Sequence, residues 1–487
     1  MDSTLPALER LPAELLHQIF SLAILQPVNN RVRSEADISD GRRWPDVFDY
    51  EKGPWSISRV CSRWRIVAIS SSDLWCHFML GTVNLGRSGQ QTALKTWLDR
   101  SGTHTISFLI QTHRICNHNE NSLLFRLLME HSSRWKSIEV INSTYSLWEM
   151  LNTAGVGNRL NSLRRVTMLA DGEEDSYMDQ GSFEMDMPTY DTFHQAPHLS
   201  ELISRDFITF CDKDGHPKLP CTQLTTYEGS CRVTYDYHFS VIRHSPNLNS
   251  LRLELITGIR GYLNNSRFQW QGGEVFSFPK LRTLTIWIAA CQSSDILEEE
   301  QMFDEFRLFN LPALEGLSIT TEQQTMTAPY HSFAAALRSS DCALQKLELS
   351  GCPVQPSDII DLLRAAHAVR HLCLYGFSSL QHFVISHLVL EGKARDEVLL
   401  PFLRTIELKY STTEGFSELE HPTLVRMIRS RCHSPSTRVN EAHFSFGRDD
   451  WGKDYRTSLP LHSPSLDSLK DLQKEGFKLI FRQLCEI

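Results

Sequence analysis

The octapeptide PKLRTLTI, at residues 279–286, contains a pattern that recurs along this chain. It begins with a proline and an apolar residue, Pro279 and Leu281. In its last residues, Leu284 and Ile286 alternate with polar residues. Such alternation predicts a short strand that points every second side chain toward a core. Similar phrases, some without the proline, have their last apolar residue at 140, 166, 253, 286, 319, 349, 374 and 408. From position 253 onward these endings lie 25 to 34 residues apart, which indicates a repeat.

Between these strands, apolar residues recur at intervals of three and four residues, which is typical of amphipathic helices. The stretches concerned are 121–131, 330–339, 357–366 and 421–430. A unit of one strand and one helix cannot bury its apolar face alone, so neighbouring units must stack. The chain therefore resembles an irregular leucine-rich-repeat solenoid over residues 88–450. The resemblance implies an α/β fold with a parallel sheet on the concave face and helices outside. A doubly wound α/β domain is the alternative.

A second pattern occupies the stretch LPAELLHQIF at residues 11–20. Proline suits the first turn of a helix, where its missing N–H leaves no hydrogen bond unmade. A stripe at helical spacing is formed by Leu15, Ile19, Leu22 and Ala23, and it is widened by Leu16 and Phe20. The pattern predicts a helix over 11–25 whose apolar face requires a partner.

Residues 26–55 interrupt this pattern with prolines and glycines, which predicts a loop. A helical period returns at Ser56, with one face formed by Ile57, Val60, Cys61, Trp64, Val67 and Ala68. Asp73 suits the amino-terminal cap of a third short segment over 74–78. Three such short helices are too small for an independent core. Some of their apolar surface is therefore expected to pack on another protein.

These three blocks, in this order, resemble the F-box family. The matching residues are Leu11-Pro12-x-Glu14, Ile19-Phe20, Val60-Cys61-x-x-Trp64 and Leu74-Trp75. The resemblance covers a predicted domain at 8–80, and the long 26–55 insertion resembles expanded loops in F-box proteins of mushroom-forming fungi. It implies that the three helices bind a Skp-type adaptor, which links them to a cullin–RING ubiquitin ligase. By motif match, the adaptor-binding candidates are Leu11, Pro12, Leu15, Ile19, Phe20, Val60, Cys61, Trp64 and Trp75.

The resemblance further implies a substrate-recognition subunit that does no bond chemistry and holds an unknown protein substrate on its repeats. Candidate substrate contacts are polar residues beside the inward strand positions, namely Arg252, Arg282, Thr285, Glu348 and Glu407. These could equally be plain solvated side chains. A scaffold that binds the adaptor but acts outside ubiquitin ligation is the competing function.

An enzyme is the alternative from another class, because residues 447–453 match the spacing of a phosphate-binding loop, G-x4-G-K. However, Asp454 stands where Ser or Thr would bind magnesium, and Asp449 and Asp450 would repel phosphate. The possible calcium loop at 212–217 lacks its glycine, and the histidines at 367 and 371 lack the glutamate of a zinc motif. No catalytic residue, metal or cofactor is therefore predicted.

Composition and charge limit the classes of function and the cellular location that the sequence allows. The net charge of −9 argues against general nucleic-acid binding, and no apolar run has membrane-spanning length. The chain starts without a signal-peptide pattern, and its twelve cysteines lie at least ten residues apart, as expected for reduced thiols of the cytosol or nucleus.

The segment 171–191 holds eight acidic residues and is expected to be a solvated insertion or an acidic lip for a basic partner. A capping segment is predicted over 451–487, with a helix near 465–481.

Overall fold

The structure is a computed structural model of the chain. It describes residues 11–24, 44–81, 89–111, 118–141, 145–169, 190–205, 208–212, 216–230, 235–257, 275–290, 303–321, 330–351, 356–375, 378–391, 397–410, 420–432, 439–446, 471–474 and 477–483. The chain divides into two compact units, Met1–Val233 and Thr234–Ile487. This division lies inside the predicted array, and the predicted boundaries at 80–88 and 450 remain predictions.

The first unit contains a parallel sheet of six described strands. These are β1 (His77–Leu80), β2 (Ile106–Gln111), β3 (Trp135–Ile141), β4 (Arg165–Leu169), β5 (Glu201–Arg205) and β6 (Thr226–Gly229). Each strand pairs with the next along the chain. The helices are α1 (Ala13–Ile24), α2 (Gly53–Ile57), α3 (Ser62–Ser70), α4 (Gln90–Arg100), α5 (His118–Glu130) and α6 (Tyr145–Thr153).

The second unit contains a parallel sheet of eight described strands. These are β7 (Ser250–Thr257), β9 (Thr283–Ala290), β11 (Gly316–Thr321), β12 (Lys346–Ser350), β13 (His371–Tyr375), β14 (Thr405–Tyr410), β15 (Glu441–Phe446) and β16 (Lys478–Gln483). Two short strands, β8 (Phe276–Ser277) and β10 (Phe309–Asn310), form a separate parallel pair. The helices are α7 (Tyr235–Arg243), α8 (Tyr330–Ser340), α9 (Pro356–Ala365), α10 (Ser378–Leu388) and α11 (Glu420–Cys432).

The order of strands decides between the two architectures that the sequence left open. In a doubly wound domain the strand order reverses at a switch point in the sheet. Within each unit here, the strands of the large sheet follow one another in chain order and every pairing is parallel. The α/β class with a large parallel sheet is confirmed, and the doubly wound alternative is wrong.

The repeated phrase places its last apolar residue on the buried face of the sheet. In the second unit these residues align in a single register row and are fully buried, namely Leu253, Ile286, Ile319, Leu349, Leu374 and Leu408. Burial of each such side chain contributes roughly 1.5–3 kcal/mol relative to exposure. The row therefore joins neighbouring strands by both hydrogen bonds and continuous aliphatic packing.

The four predicted helices of the array are present as α5, α8, α9 and α11. In α9 a proline occupies the first position, Asp358 lies in the first turn and Arg364 in the last. These positions suit the missing N–H of proline and the two ends of the helix dipole. Its buried side comprises Ile359, Leu362 and Leu363, at the spacing that predicted the helix.

The predicted helix from Ser56 onward is interrupted. Helix α2 ends at Ile57, and α3 begins at Ser62 after Cys61, whose Sγ accepts a hydrogen bond from the Trp64 backbone N–H at 3.5 Å. This cap satisfies a backbone donor at the start of α3 and favours a new helix over a continuous one. The predicted third helix is also wrong, because a 3-10 turn at Ser72–Trp75 leads directly into β1.

The last part of the predicted 26–55 loop is packed against the first strand. The Met79 backbone N–H donates to the Pro45 carbonyl at 2.9 Å, and the Val47 N–H donates to the Met79 carbonyl at 3.1 Å. Gly53 has φ of 58°, and a Cβ on it would lie 2.6 Å from the Pro45 Cβ. Glycine is therefore required where this segment turns into α2. Residues 26–43 of the predicted loop lie outside the described residues.

The predicted carboxy-terminal helix is corrected at its end. Residues Lys478–Gln483 form β16, which pairs in parallel with β15. The apolar residues at 477, 479, 480 and 481 fit either period by themselves, and the pairing with β15 selects the strand. Of the predicted helix, only 471–474 is described as helical. The acidic segment up to residue 189 and the 447–454 loop lie outside the described residues.

A buried arginine binds the end of α10 and two residues that precede β14. Arg431 of α11 is fully buried, and its guanidinium donates to the carbonyls of Leu388, Leu399 and Leu400 at 2.9, 2.6 and 2.9 Å. Leu388 is the last residue of α10, where the helix dipole favours a cation. Burial lowers the pKa of Arg431 to about 10, so the side chain stays charged at neutral pH. Leu400 has φ of 47°, a conformation that its hydrogen bond helps to hold.

Replacing this arginine is expected to destabilise the second unit strongly. Arg431→Ala should lower the free energy of unfolding by about 3 kcal/mol or more, because it leaves three buried carbonyls without their donor, at about 1–3 kcal/mol each. Urea denaturation followed by circular dichroism measures the change. Arg429→Ala is the matched control, since Arg429 is exposed on the same helix. Equal stability of the two variants would contradict the role given to Arg431.

Candidate functional site

The first helix has one buried side and one exposed apolar side. Leu16 and Phe20 are 0 % and 1 % exposed, whereas Leu15, Ile19 and Leu22 are 44 %, 44 % and 69 % exposed. The stripe that sequence periodicity indicated is therefore the outer one. Leu16 and Phe20, which the sequence pattern added to this stripe, form the inner side of the helix instead.

Three contacts fix α1 by its inner side and its start. The Phe20 ring packs on Trp64, with ring centroids 4.9 Å apart. The Arg63 guanidinium donates to the Leu11 carbonyl, and His17 Nε2 lies 2.8 Å from Asp73 Oδ2. These contacts orient the helix, so its exposed stripe is presented in a defined direction.

Three tryptophans join the helices to the start of the sheet. The Trp55, Trp75 and Trp97 rings meet edge to face, with centroids 5.0 to 5.7 Å apart. Their indole N–H groups donate to the carbonyls of Val47, Ala68 and Trp75 at 3.0, 2.8 and 2.8 Å. Such ring pairs contribute about 0.5–1.5 kcal/mol each beyond the area that they bury. We call Trp55, Trp75 and Trp97 the tryptophan cluster.

A cation closes this cluster, and further rings extend it into the sheet. The Arg100 guanidinium lies 4.8 Å from the Trp55 ring and 4.5 Å from the Trp75 ring. Burial lowers the pKa of Arg100. From Trp97, ring contacts continue through Phe78 of β1 and Phe108 of β2 to Trp135, which begins β3. The N-terminal helices and the first strands thus share one aromatic core.

Exposed apolar side chains are concentrated in this region. Ten large apolar side chains are exposed in the described chain, and seven of them fall between residues 15 and 69. Besides the α1 stripe they include Val60, Ile66 and Ile69, at 60 %, 70 % and 39 % exposure. Concentrations of exposed apolar surface mark sites of interaction with proteins or membranes. No helix in the described part of the chain is both long and apolar enough to cross a membrane.

The predicted adaptor-binding residues separate into three groups by exposure. Pro12, Leu15, Ile19 and Val60 are exposed, and Leu11, Cys61 and Trp64 are partly buried. Phe20 and Trp75 are fully buried, at 1 % and 0 %. Their assignment as contacts is corrected, because both are core residues that support the helices from inside.

The sequence-based prediction omitted three exposed apolar residues from the contact set. Leu22 belongs to the predicted stripe, but Ile66 and Ile69 were not singled out. A signal for the two isoleucines exists in the spacing of α3. Once Val67 and Ala68 are assigned to the core, helical geometry places Ile66 and Ile69 on the opposite side.

The outward face of the second sheet carries most of the predicted substrate contacts. Four of the five share one register row, which runs Arg252, Thr285, Ser318, Glu348, Cys373, Glu407 and His443. Arg282 lies outside this row and pairs with Glu315 at 3.5 Å before β9 begins. We call the seven residues the polar row.

Charges in and beside the polar row are paired within the sheet. Glu348 lies 3.1 Å from Lys409 Nζ and 3.4 Å from Lys346 Nζ. Burial alone would raise the pKa of Glu348, but the charges of these two lysines outweigh it and lower the pKa. His371 Nε2 lies 3.3 Å from a Glu407 carboxylate oxygen, and this hydrogen bond lowers the pKa of Glu407 to about 2.

Cys373, in the middle of the polar row, is a poor nucleophile. The residue is fully buried, and burial raises the pKa of its thiol to about 12. A thiol with this pKa is protonated at neutral pH, whereas nucleophilic attack requires the thiolate. Among the described residues, no group of three or more His, Cys, Asp or Glu side chains could hold a metal ion.

The Glu407 carboxylate is expected to stabilise the fold above acidic pH. Its folded pKa of about 2 lies below the ordinary value of 4.5, so its contribution is present above about pH 4.5 and is lost as the pH falls toward 2. Glu407→Gln should remove up to about 3 kcal/mol at pH 7, given 1.36 kcal/mol per pKa unit, and progressively less below pH 4.5. Urea denaturation between pH 3 and pH 7 measures the difference.

Glu315→Gln is the control for this measurement, because Glu315 is exposed and its ion pair with Arg282 is screened by water. Its stability should follow that of the wild type across the pH range. A Glu407→Gln deficit that stays constant between pH 3 and pH 7 would contradict the ionic role of Glu407.

Comparison with protein-family models and with curated proteins finds no match to this chain. The resemblance to the F-box family therefore depends on the three motif blocks at 11–20, 60–64 and 74–75. The exposed apolar side chains on α1 and α3 give those blocks a surface that a partner protein could bind.

Proposed function

We propose that this chain is the substrate-recognition subunit of an SCF-type ubiquitin ligase. In this proposal its N-terminal helices are an F-box that binds a Skp-type adaptor. Its parallel sheets and helices are an irregular leucine-rich-repeat solenoid that binds a protein substrate. In this proposal the chain itself does no bond chemistry.

The exposed stripe on α1 is the observation that carries this proposal. Leu15, Ile19 and Leu22 lie outside on a helix whose inner side is already packed. Burying each of these side chains in an interface would contribute roughly 1.5–3 kcal/mol before the costs of association. A few such anchors at the centre of an interface are enough for tight binding. The α1 stripe therefore suits a stable protein partner.

The arrangement of the sheets supports the second half of the proposal. Strands that follow one another in chain order, with helices between them, are the organisation expected of stacked repeats. The outward face of the second sheet carries both signs of charge in and beside the polar row. A protein substrate with complementary charges could be recognised there. Its lysines would then react faster because the complex holds them near the conjugating enzyme, which raises their effective concentration.

A scaffold that binds the same adaptor outside a ubiquitin ligase would use the same α1 stripe. The two functions differ in what happens to a bound partner. In the ligase, a protein captured by the polar row is ubiquitinated when the cullin is active, whereas in the scaffold it is not. Affinity capture with the cullin inhibited, followed by mass spectrometry, would identify the partner needed for this comparison.

Removing the apolar character of the stripe is expected to abolish adaptor binding. Leu15→Asp combined with Ile19→Asp should weaken the affinity for a purified Skp-type adaptor by at least about a hundredfold, since buried charges would replace two apolar anchors. Co-purification and isothermal titration calorimetry measure the loss. Leu123→Asp is the matched control, because Leu123 is a leucine of similar exposure, 46 %, on α5.

The aspartate variants should keep the circular dichroism spectrum and thermal transition of the wild type, since both replaced residues face outward. Leu11→Ala with Pro12→Ala tests the start of the same helix. An adaptor that fails to bind the wild type, or that binds the folded Leu15/Ile19 variant equally well, would refute the F-box assignment.

A further inference from the structure

Two histidines lie near each other on the outward face of the second sheet. His371 is on β13 and His443 is on β15, and the centroids of their rings are 6.4 Å apart. The strand between them, β14, places Glu407 directly opposite His443 in the register, and its carboxylate is 3.3 Å from His371 Nε2. The two imidazoles therefore belong to one cluster of polar groups.

Charged side chains surround both histidines on each neighbouring strand. From β12, β14, β15 and β16 in turn, these are Lys346 and Glu348, Glu407 and Lys409, Glu441, and Lys478. The thiol of Cys373, two residues along β13 from His371, is protonated at neutral pH and carries no charge. We call the six charged residues and the two histidines the histidine–carboxylate cluster.

The cluster is electrically balanced while its imidazoles are neutral. It contains three lysines and three glutamates. The carboxylate of Glu441 lies 3.2 Å from Lys478 Nζ and accepts a hydrogen bond from the Thr405 hydroxyl at 3.1 Å. The carboxylate of Glu348 lies between two lysine ammonium groups. Each imidazole that binds a proton therefore adds a positive charge in excess of the carboxylates.

The carboxylates keep their charge over the pH range in which histidine titrates. The pKa of Glu407 is lowered to about 2 by its hydrogen bond with His371, and that of Glu348 is also lowered. Burial would raise the pKa of Glu441, but hydrogen bonds to its carboxylate, the largest from Lys478, outweigh burial and lower it. Lysine stays protonated, whereas histidine ordinarily changes its charge between about pH 5 and 8. The cluster therefore gains up to two positive charges as the solution becomes mildly acidic.

We infer that the histidine–carboxylate cluster docks an acidic peptide segment in mildly acidic solution and binds it only weakly at neutral pH. The inference deepens the proposed function, on which it rests, because the cluster lies on the surface assigned to the substrate. Carboxylates of the segment would balance the added charges through charge-assisted hydrogen bonds. A nucleic acid carries a charge at every phosphate and would meet the three glutamates as well, so an acidic peptide fits the cluster better.

The test is fluorescence polarisation of a hexaglutamate peptide labelled with tetramethylrhodamine, in 50 mM NaCl at pH 5.5 and pH 7.5. The wild type should bind the peptide at least about fivefold more tightly at pH 5.5, where the imidazoles are charged and the peptide is still ionised. His371→Gln with His443→Gln should remove this difference. His367→Gln with His382→Gln is the matched control, because both of these histidines are exposed in the second unit outside the cluster, and it should bind as the wild type does.

A permanently charged variant tests the inference by a gain of binding. His443 is only 9 % exposed, so its replacement can destabilise the sheet, whereas the side chain of His371 is 32 % exposed. His371→Arg places a cation at this position at every pH of the experiment. It should bind the peptide at pH 7.5 at least about threefold more tightly than the wild type does at that pH. Circular dichroism checks that each variant is folded.

The outcomes separate this inference from the proposed function. Equal affinity of the wild type at the two pH values would overturn the inference, and so would a His371→Arg variant that gains no affinity at pH 7.5. A folded His371/His443 variant that keeps the pH dependence has the same consequence. Tighter binding of a decauridylate RNA than of the peptide at pH 5.5 would also overturn it, because the cluster would then serve a nucleic acid. The measurement needs no adaptor, so a wild type that binds no adaptor refutes the proposed function, while the peptide alone decides this inference.

Discussion

The edge-to-face contact of Trp55, Trp75 and Trp97 is the interaction on which the N-terminal part of this protein depends. One ring comes from α2, one from the turn before β1 and one from α4. Each indole also donates a hydrogen bond to a backbone carbonyl, so the rings are fixed in orientation as well as in position. Because the same rings contact both the helices and the beginning of the sheet, neither part can shift without breaking the other's core. Helix α1 joins this core through α3, on which its Phe20 packs at Trp64.

A different constraint organises the sheets. A parallel strand next to another strand must bury its inner residues against a helix, and the repeated phrase supplies one aliphatic row for this purpose. The residues on the opposite face of the sheet do not pack against these helices, so they can carry charge. In the second unit they do so in pairs, such as Glu348 with Lys409, which keeps partly buried charges satisfied. The inner row of the sheet is thus purely aliphatic, whereas the outer row carries charges that are paired within the sheet.

Periodicity predicted those parts of the structure that local spacing determines. The strand endings at 253 through 408, the helices α5, α8, α9 and α11, and the stripe on α1 all follow from intervals of two, three or four residues. The division between inner and outer residues of α1 did not follow, because Leu15 and Leu16 are equally apolar and packing on distant residues, such as that of Phe20 on Trp64, decides which side is buried. The break at Cys61 and the tryptophan cluster depend on contacts between distant residues. The helix predicted near 465–481 is wrong at its end, because the short apolar run there fits either period until a neighbouring strand selects one.

The segment Pro45–Val47 gives the long insertion between the first two motif blocks a structural meaning. By pairing with Met79 it occupies hydrogen-bonding groups on the side of β1 that faces away from β2. Open strand edges promote association between chains, and covering them is a common safeguard against aggregation. The insertion that interrupts the helical module thereby protects the adjoining sheet. The helical segment therefore cannot be replaced independently of the sheet. A chimeric protein in which a shorter helical module replaces residues 11–75 would expose the edge of β1 and gain a site for aggregation.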